Sequence, residues 1–266
     1  MVRSRFMKTR LKQLCIKHCL WLIIILGWLA CSSGDTSYVK NLYQTHPGFN
    51  AEGSDSLAID WADKVFLALG GKEAWNNTRY IKWNFLGTRR HIWDKETNNI
   101  IIESLRDSVQ IRMNIDQMEG TVNYKGTELT KSDSLDKYLQ KGKEMWINDS
   151  YWLFMPYKLK DPGVTLHYAG LDTTTSGTPL AVIEITFDGV GVTPDNKYRI
   201  YIDQQRHIVL QWDFFTHKDD EKPRFSSPWE EYRRYGDILL SGSRGGNRQI
   251  TEIAVGDSLS YYFEIQ

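Results

Sequence analysis

The run of large side chains between Asn148 and Val164 is the feature that most constrains how this chain can fold. Residues 151–155 are five consecutive apolar or aromatic side chains that lead directly into Pro156. Proline lacks an N–H and restricts the residue before it, so a helix that reaches Pro156 must end there. Asp161-Pro162-Gly163 is typical of a turn. Strand-like segments lie on both sides, so this stretch predicts a helical plug between two halves of a sheet.

The flanking segments show the two-residue alternation of β-strands. Ile81, Trp83 and Phe85 alternate with polar neighbours, and the segment 109–115 repeats the pattern. This alternation is typical of a sheet with one buried face and one wetter face. Further strands are expected at 89–93, 100–105, 120–124, 164–169, 180–187, 197–202, 207–215, 229–234, 238–241, 248–254 and 259–263. Short strands separated by turn residues favour an antiparallel meander, and the lack of alternating helices argues against a Rossmann fold.

Two amphipathic helices interrupt the strand pattern. Apolar residues from Ala58 to Leu69 recur at helical spacing and predict a helix over about 57–69. Gly70-Gly71 is expected to end this helix, and one more helical turn is expected at 72–75. A second helix is predicted over 134–146. Gly142 falls on its apolar face, either as a tolerated defect or as a place where something packs close to the backbone.

The N-terminal 30 residues are predicted to be a lipoprotein signal peptide. Six basic residues precede the apolar run Leu20–Ala30, which is eleven residues long and ends at Cys31. A bilayer span needs about 20 residues, so this run is too short to be one. We predict cleavage before Cys31 and lipidation of Cys31, with an ordinary secretory signal or an uncleaved anchor as the alternatives. Residues 31–55 are predicted to be a polar tether, and 56–266 a single domain.

Charge and cysteine content exclude several classes of function. The other two cysteines, Cys15 and Cys19, lie in the leader, so the mature chain has no disulfide framework and no cysteine-ligated zinc. Without the leader, 27 basic residues face 33 acidic ones. A mildly acidic domain without a basic tract lacks the charge needed to bind nucleic acid.

No residue pattern predicts catalysis, a metal site or a cofactor. On an uninterrupted strand His207 and His217 would share a face, but ten residues of strand would place them about 33 Å apart, too far for one metal ion. We expect the histidines of the domain, His91, His167, His207 and His217, to be solvated or satisfied within the core, and none to have a partner at useful spacing. Glu184 lies between Ile183 and Ile185 and is predicted to face solvent or an arginine.

The chain resembles the LolA/LolB-like bacterial lipoprotein-carrier superfamily. A signal ending in Cys31, a leading helix before Gly70-Gly71, a long meander and a helical interruption carry this resemblance. Within the superfamily, residues 151–164, 187–194 and 198–203 resemble segments of a group of Bacteroidetes lipoproteins. The resemblance covers about residues 57–215. It implies an α+β fold in which an antiparallel half-barrel, an unclosed β-barrel, wraps two or three helices over an apolar concavity.

The high aromatic content, 13% of the chain, is the remaining functional signal. Its simplest interpretation is that wide side chains fill a large curved core. The sharper interpretation is that some of them line an apolar ligand cavity. For that cavity we predict the ligand-binding residues Trp83, Gly142, Met145, Trp146, Trp152, Phe154 and Trp212. The unit 135–155 is expected to form its floor, with a notch at Gly142.

Together these features predict an envelope lipoprotein that binds an apolar or acylated ligand, in the setting of lipid or lipoprotein trafficking. Its expected location is the outer membrane, anchored through Cys31 and facing the periplasm or the cell surface. The alternative is a structural or assembly lipoprotein whose core is filled by its own helices. The third candidate function is that of a hydrolase.

Overall fold

The computed structural model describes residues 45–174, 177–189, 191 and 193–264. The predicted leader, Cys31 and the first part of the predicted tether lie outside these residues. The predicted α+β class is confirmed. Four helices accompany the strands: α1 (Ser56–Ala68), α2 (Gly71–Asn77), α3 (Ser132–Phe154) and α4 (Tyr261–Glu264). None of these helices has the length and apolarity needed to cross a bilayer.

The first half of the chain forms a meander of six strands. They are β1 (Tyr80–Phe85), β2 (Arg89–Asp94), β3 (Asn99–Ser104), β4 (Val109–Asn114), β5 (Glu119–Tyr124) and β6 (Thr127–Glu128). Each strand pairs antiparallel with the next, so the hydrogen bonds close over short turns. Val109, Ile111 and Met113 are buried while their neighbours are not, which is the alternation seen in the sequence.

The second half of the chain supplies eight strands. They are β7 (Val164–Thr173), β8 (Pro179–Phe187), β9 (Lys197–Asp203), β10 (Val209–Phe215), β11 (Phe225–Pro228), β12 (Glu230–Tyr235), β13 (Ile238–Ser243) and β14 (Ile250–Val255). The sheet orders are β14-β1-β2-β3-β4-β5-β6, β11-β10-β9-β8-β7 and β12-β13. A bridge between Ser243 and Gln249 connects the hairpin to β14. The strands are antiparallel and the large sheet is not closed, so the predicted half-barrel is confirmed.

Helix α1 ends where the sequence predicts, at Gly70. The backbone of Gly70 has φ 126°, which side-chain-bearing residues rarely adopt. A β-carbon at this position would lie 2.6 Å from the carbonyl oxygen of Asp237. The glycine therefore ends the helix and also permits close contact with the turn between β12 and β13.

The predicted second helix and the predicted plug are one continuous helix, α3. The sequence interpretation ended the helix at Trp146, because the polar residues Asn148, Asp149 and Ser150 interrupt the apolar pattern. That boundary was wrong for a physical reason. The Asp149 side chain is bonded to strand β2, and Ser150 donates a hydrogen bond back to the carbonyl of Ile147 within the helix. As predicted, Pro156 ends the helix, and a 3₁₀ turn at Met155–Tyr157 follows it.

Helix α3 packs its apolar side onto the concave face of the sheet. Leu139, Leu153 and Phe154 are buried there, together with Trp83 of β1 and Ile111 of β4. Tyr157, just past the helix end, donates to the carbonyl of Leu69 and so attaches this region to α1. The space between helix and strands is therefore filled along this side.

Two further expectations from the sequence were wrong. Residues 259–263 form no strand: a 3₁₀ turn at Asp257–Leu259 leads into α4, where the Tyr262 carbonyl accepts a hydrogen bond from Arg112. Strand β11 was missed because it is only four residues long and ends in a proline.

Residues 46–55, part of the predicted tether, form backbone hydrogen bonds with strand β7. The amide of Asn50 donates to the carbonyl of Val164, and the amide of Asp55 donates to the carbonyl of Leu166.

Candidate ligand-binding cleft

A cleft of about 710 Å³ runs along the C-terminal half of α3. Its opposite walls are the start of β7 and the hairpin formed by β8 and β9. The lining residues are Asp116, Glu144, Trp146, Ile147, Asn148, Ser150, Tyr151, Trp152, Lys158, Asp161, Pro162, Val164, Phe187, Gly191, Thr193, Asn196 and Tyr198. Small-molecule sites usually occupy about 300–1,000 Å³, so the volume suits a ligand of ordinary size.

Aromatic rings form much of the cleft wall. The Tyr151 ring lies 5.2 Å from that of Tyr198 and 6.3 Å from that of Phe187, measured between centroids. Trp152 extends this wall along α3, and Trp146 lies on the same helix, more than one turn closer to its N-terminus. The indole Nε1 of Trp146 is buried and has no hydrogen-bond partner among the described residues. The wall is therefore largely aromatic.

The phenols of this wall are neutral at physiological pH. Burial raises the pKa of Tyr198 to about 12, and it raises the pKa of Tyr151 well above its ordinary value. Neither phenol therefore contributes a negative charge to the cleft.

The charged residues lie around the aromatic wall. Lys158 and Asp161 pair at 2.7 Å, so their charges offset each other. Asp116 accepts a hydrogen bond from the Asn98 side chain at 2.8 Å. Glu144 accepts one from Gln140 at 2.9 Å. Among the described residues neither Asp116 nor Glu144 forms an ion pair, so the cleft has an excess of negative charge.

The structure brings two of the predicted ligand-binding residues, Trp146 and Trp152, to the cleft. Trp83 and Phe154 are fully buried between α3 and the strands. Trp212 is also fully buried, and it stacks behind Tyr151 at 5.9 Å. Met145 packs against the core.

Gly142 does not face the cleft. A β-carbon on Gly142 would meet the Met113 sulfur at 3.1 Å and Ile111 at 3.2 Å. The predicted notch is therefore already filled by strand β4, and the glycine permits close packing of α3 on the sheet.

The sequence interpretation missed Tyr151, Phe187 and Tyr198 as lining residues. Phe187 and Tyr198 come from strands that follow the helix, and their meeting with Tyr151 depends on the pairing of β8 with β9. Periodicity alone does not place them on one wall.

Arg244 holds the end of α3 that carries Trp152. Its buried guanidinium donates to the Trp152 carbonyl and, at 2.7 Å, to the Ser243 carbonyl. The guanidinium also lies 3.5 Å from the centre of the Trp229 ring. Burial lowers the pKa of Arg244 to about 9. A cation that bonds the last carbonyls of a helix stabilises its C-terminus, so Arg244 positions one end of the cleft wall.

A buried polar cluster anchors α3 beside the cleft. The Asp149 carboxylate accepts two hydrogen bonds from Arg89, at 2.6 and 2.8 Å, and one from His91 Nε2 at 2.7 Å. A carboxylate accepts only, so Nε2 of His91 carries the proton. His91 stacks on Trp83 with centroids 4.8 Å apart. Its Nδ1 has no partner among the described residues. His91 thus has a partner within the core, as one of the two expected environments for these histidines required, but the partner lies 58 residues away in the sequence.

Burial and pairing set the charges in this cluster. Burial lowers the pKa of His91 below its ordinary value of 6.5, and the neighbouring Asp149 carboxylate opposes this only in part. Burial alone would raise the pKa of Asp149, but hydrogen bonds from His91 and Arg89 outweigh it and lower the pKa below its usual range. The cluster is thus a neutral imidazole beside a carboxylate and a guanidinium. It is closed to substrate, because both His91 and Asp149 are fully buried.

Stability is expected to fall as the pH drops from 6.5 towards 5. The unfolded chain binds a proton at His91 over this interval while the folded chain does not, which costs up to about 1.4 kcal/mol for each pH unit. Asp149 adds its own loss only below its ordinary pKa of 3.8, outside the interval. Urea unfolding at several pH values measures the slope. His91→Gln should reduce it, because glutamine does not titrate; an unchanged slope would contradict this assignment.

The other polar residues considered in the sequence analysis do not form a common site. His207 precedes β10 and packs edge-on against Trp61, while His217 lies exposed beyond the strand. Glu184 pairs with Arg199 at 2.6 Å, which confirms the prediction for that residue. Within the described ranges no three histidine, cysteine or acidic side chains converge as metal ligands would.

Comparisons with known proteins give distant likenesses. No protein-family model matches the sequence, and no curated protein matches it. Among solved structures, a DUF1329 family protein from Desulfovibrio piger is 10% identical over 79% of this chain and 99% of its own, with a TM-score of 0.41. A domain described as an outer membrane lipoprotein-sorting protein from Vibrio parahaemolyticus is 10% identical over 76% of this chain and 91% of its own, with a TM-score of 0.36.

The MucA/MucB complex of Pseudomonas aeruginosa is a third such structure. It is 13% identical over 76% of this chain and 58% of its own, with a TM-score of 0.26. Similarity at these levels assigns no function. The finer resemblance to Bacteroidetes lipoproteins stays a prediction.

Proposed function

We propose that this protein is an envelope lipoprotein that binds an apolar or acylated ligand in the cleft beside α3. The cleft carries the proposal, because its volume suits a ligand and Trp146, Tyr151, Trp152, Phe187 and Tyr198 line it. Binding sites for small molecules are mostly apolar and aromatic, with a few polar groups that fix orientation. The expected setting is lipid or lipoprotein trafficking.

The proposal includes anchorage of the mature chain through Cys31. This residue follows the short apolar run of the leader, and lipidation at two or more positions gives stable membrane attachment. By analogy with bacterial lipoprotein sorting, Ser32 after Cys31, in place of an aspartate, favours anchorage at the outer membrane. An intact-mass measurement on protein from the membrane fraction tests it: an N-terminus at Cys31 with attached acyl chains supports the anchor, and an unmodified cysteine contradicts it.

A second candidate function is that of a structural or assembly subunit. The observation in its favour is that α3 fills the concave face of the large sheet with its own side chains. The ligand of the first candidate therefore lies beside the helix rather than beneath it. Native mass spectrometry separates the two candidates, since a co-purifying acyl compound favours ligand binding.

Filling the cleft should prevent binding of an apolar probe. Ile147 lines the cleft and is half-buried, so Ile147→Trp is expected to place a larger ring there without disturbing the core. We expect the neutral probe N-phenyl-1-naphthylamine to bind at least about tenfold more weakly, a loss of about 1.4 kcal/mol. Fluorescence titration measures this loss.

Lys137→Trp is the matched control for this variant. Lys137 is exposed on the same helix and lies away from the cleft, so the same residue is introduced without filling the site. The control should bind the probe as the unmodified protein does. If both variants do so with unchanged stability, the cleft does not bind the probe.

A further inference from the structure

We propose that the ligand of the cleft carries an ammonium group on its apolar body. This inference rests on the proposed function, because it specifies which apolar compound the same cleft prefers. It concerns the chemistry shared by amine-bearing lipids and other long-chain amines.

The charge of the cleft is the first argument. Asp116 lies in the turn between β4 and β5, and Glu144 lies on α3, so two separate elements each bring a carboxylate to the site. Both carboxylates accept hydrogen bonds from neutral amides, and neither forms an ion pair with another described residue. The one lysine of the lining, Lys158, is already paired with Asp161. A ligand with a positive group therefore meets uncompensated negative charge, whereas an anionic ligand is repelled.

The aromatic wall is the second argument, and it is independent of the first. Rings attract a cation that lies over their faces, and the attraction grows where water is excluded. Tyr151, Trp152 and Tyr198 line one cleft, and each ring is stacked on another ring of the protein on one side, which leaves its second face for a ligand in this proposal. Burial keeps the two phenols neutral, so the wall attracts through its ring faces. Rings and carboxylates together are the combination that recognises an ammonium group.

The test compares compounds that share one tail and differ in the head. Dodecyltrimethylammonium, dodecyl maltoside and dodecyl sulfate are titrated below their micelle-forming concentrations, and binding is followed by tryptophan fluorescence and calorimetry. We expect the cation to bind about tenfold more tightly than the neutral compound and the anion to bind most weakly, because two carboxylates without an ion-pair partner among the described residues line the same cleft. Added salt should reduce the difference. Tetramethylammonium, which has no tail, should bind far more weakly than the tailed cation.

Variants assign the preference to the cleft. Asp116→Asn together with Glu144→Gln should remove most of the difference in affinity between the cation and the neutral compound. Asp219→Asn together with Glu221→Gln removes the same charge from exposed residues outside the cleft and should keep the difference.

Each outcome separates the two proposals. Equal binding of the three tailed compounds, or a preference that survives loss of both carboxylates, overturns the ammonium preference and leaves apolar binding intact. Equally tight binding of tetramethylammonium overturns the requirement for an apolar body. If neither the tailed compounds nor the neutral probe binds, the proposed function fails and this inference fails with it.

Discussion

Replacement of Asp149 by alanine is expected to lower the free energy of unfolding by about 3–5 kcal/mol, the cost of removing one partner from a buried ion pair. Asp149 is fully buried and accepts hydrogen bonds from Arg89, His91 and Asn148. Its loss leaves a partly buried guanidinium without a counter-charge and an imidazole donor without an acceptor. Urea unfolding followed by circular dichroism measures the change.

Two variants test whether this loss of stability arises from the broken ion pair and hydrogen bonds of Asp149. Asp136→Ala removes an exposed carboxylate from the same helix and should change stability by no more than about 0.5 kcal/mol. Replacing the whole cluster, with Arg89→Met, His91→Leu and Asp149→Leu, should recover much of the loss, because no charge is then left unpaired. If the triple variant is as unstable as Asp149→Ala, the cluster contributes through more than its charges.

Replacement of Trp212 by alanine is the second large effect, with an expected loss of about 3–5 kcal/mol. Trp212 is fully buried, and the rings of Tyr151, Trp152, Tyr198 and Trp229 all lie within 5.9 Å of it. A cavity at this position would remove support from the aromatic wall of the cleft. We therefore expect weaker probe binding as well as lower stability, measured by urea unfolding and by fluorescence titration.

Trp152→Ala provides the comparison for this second variant. Trp152 is half-buried and lines the cleft, so its loss enlarges a space that is already open to solvent. Its stability loss should be smaller than that of Trp212→Ala, and probe binding should change more than stability does. Equal losses for the two variants would show that Trp152 is packed as tightly as a core residue.

The sequence predicts the parts of this fold that depend on neighbours in the chain. The alternation in β4 and the helix end at Pro156 are local features, and the structure confirms them. In β1 the alternation predicted from the sequence is not kept, because Tyr80 and Asn84 are buried as well. The length of α3 was underestimated, because Asp149 is polar and its partners Arg89 and His91 lie 60 and 58 residues earlier. No local pattern records such a pairing. A polar residue that interrupts an apolar helix face is therefore ambiguous until its distant partner is known.

The candidate site shows the same limit of prediction from local sequence patterns. Trp146 and Trp152 were predicted from their place on one helix, whereas Phe187 and Tyr198 reach the cleft through the pairing of β8 with β9. Trp83 and Trp212 were assigned to the cavity because large aromatic residues suit both a core and a pocket. Composition does not separate these two roles, since the difference lies in which side of α3 each ring packs against.

The pairing of β14 with β1 has a consequence for the order in which the chain folds. The outer edge of β1 is completed only by residues near the C-terminus, and Asn84 donates a hydrogen bond to Glu252, 168 residues later. Contacts between such distant residues slow folding, because a large loop must close before they stabilise anything. The meander β1–β6 can form early, but the outer edge of β1 stays unpaired until β14 is added. During synthesis an unpaired edge of this kind can pair with another chain.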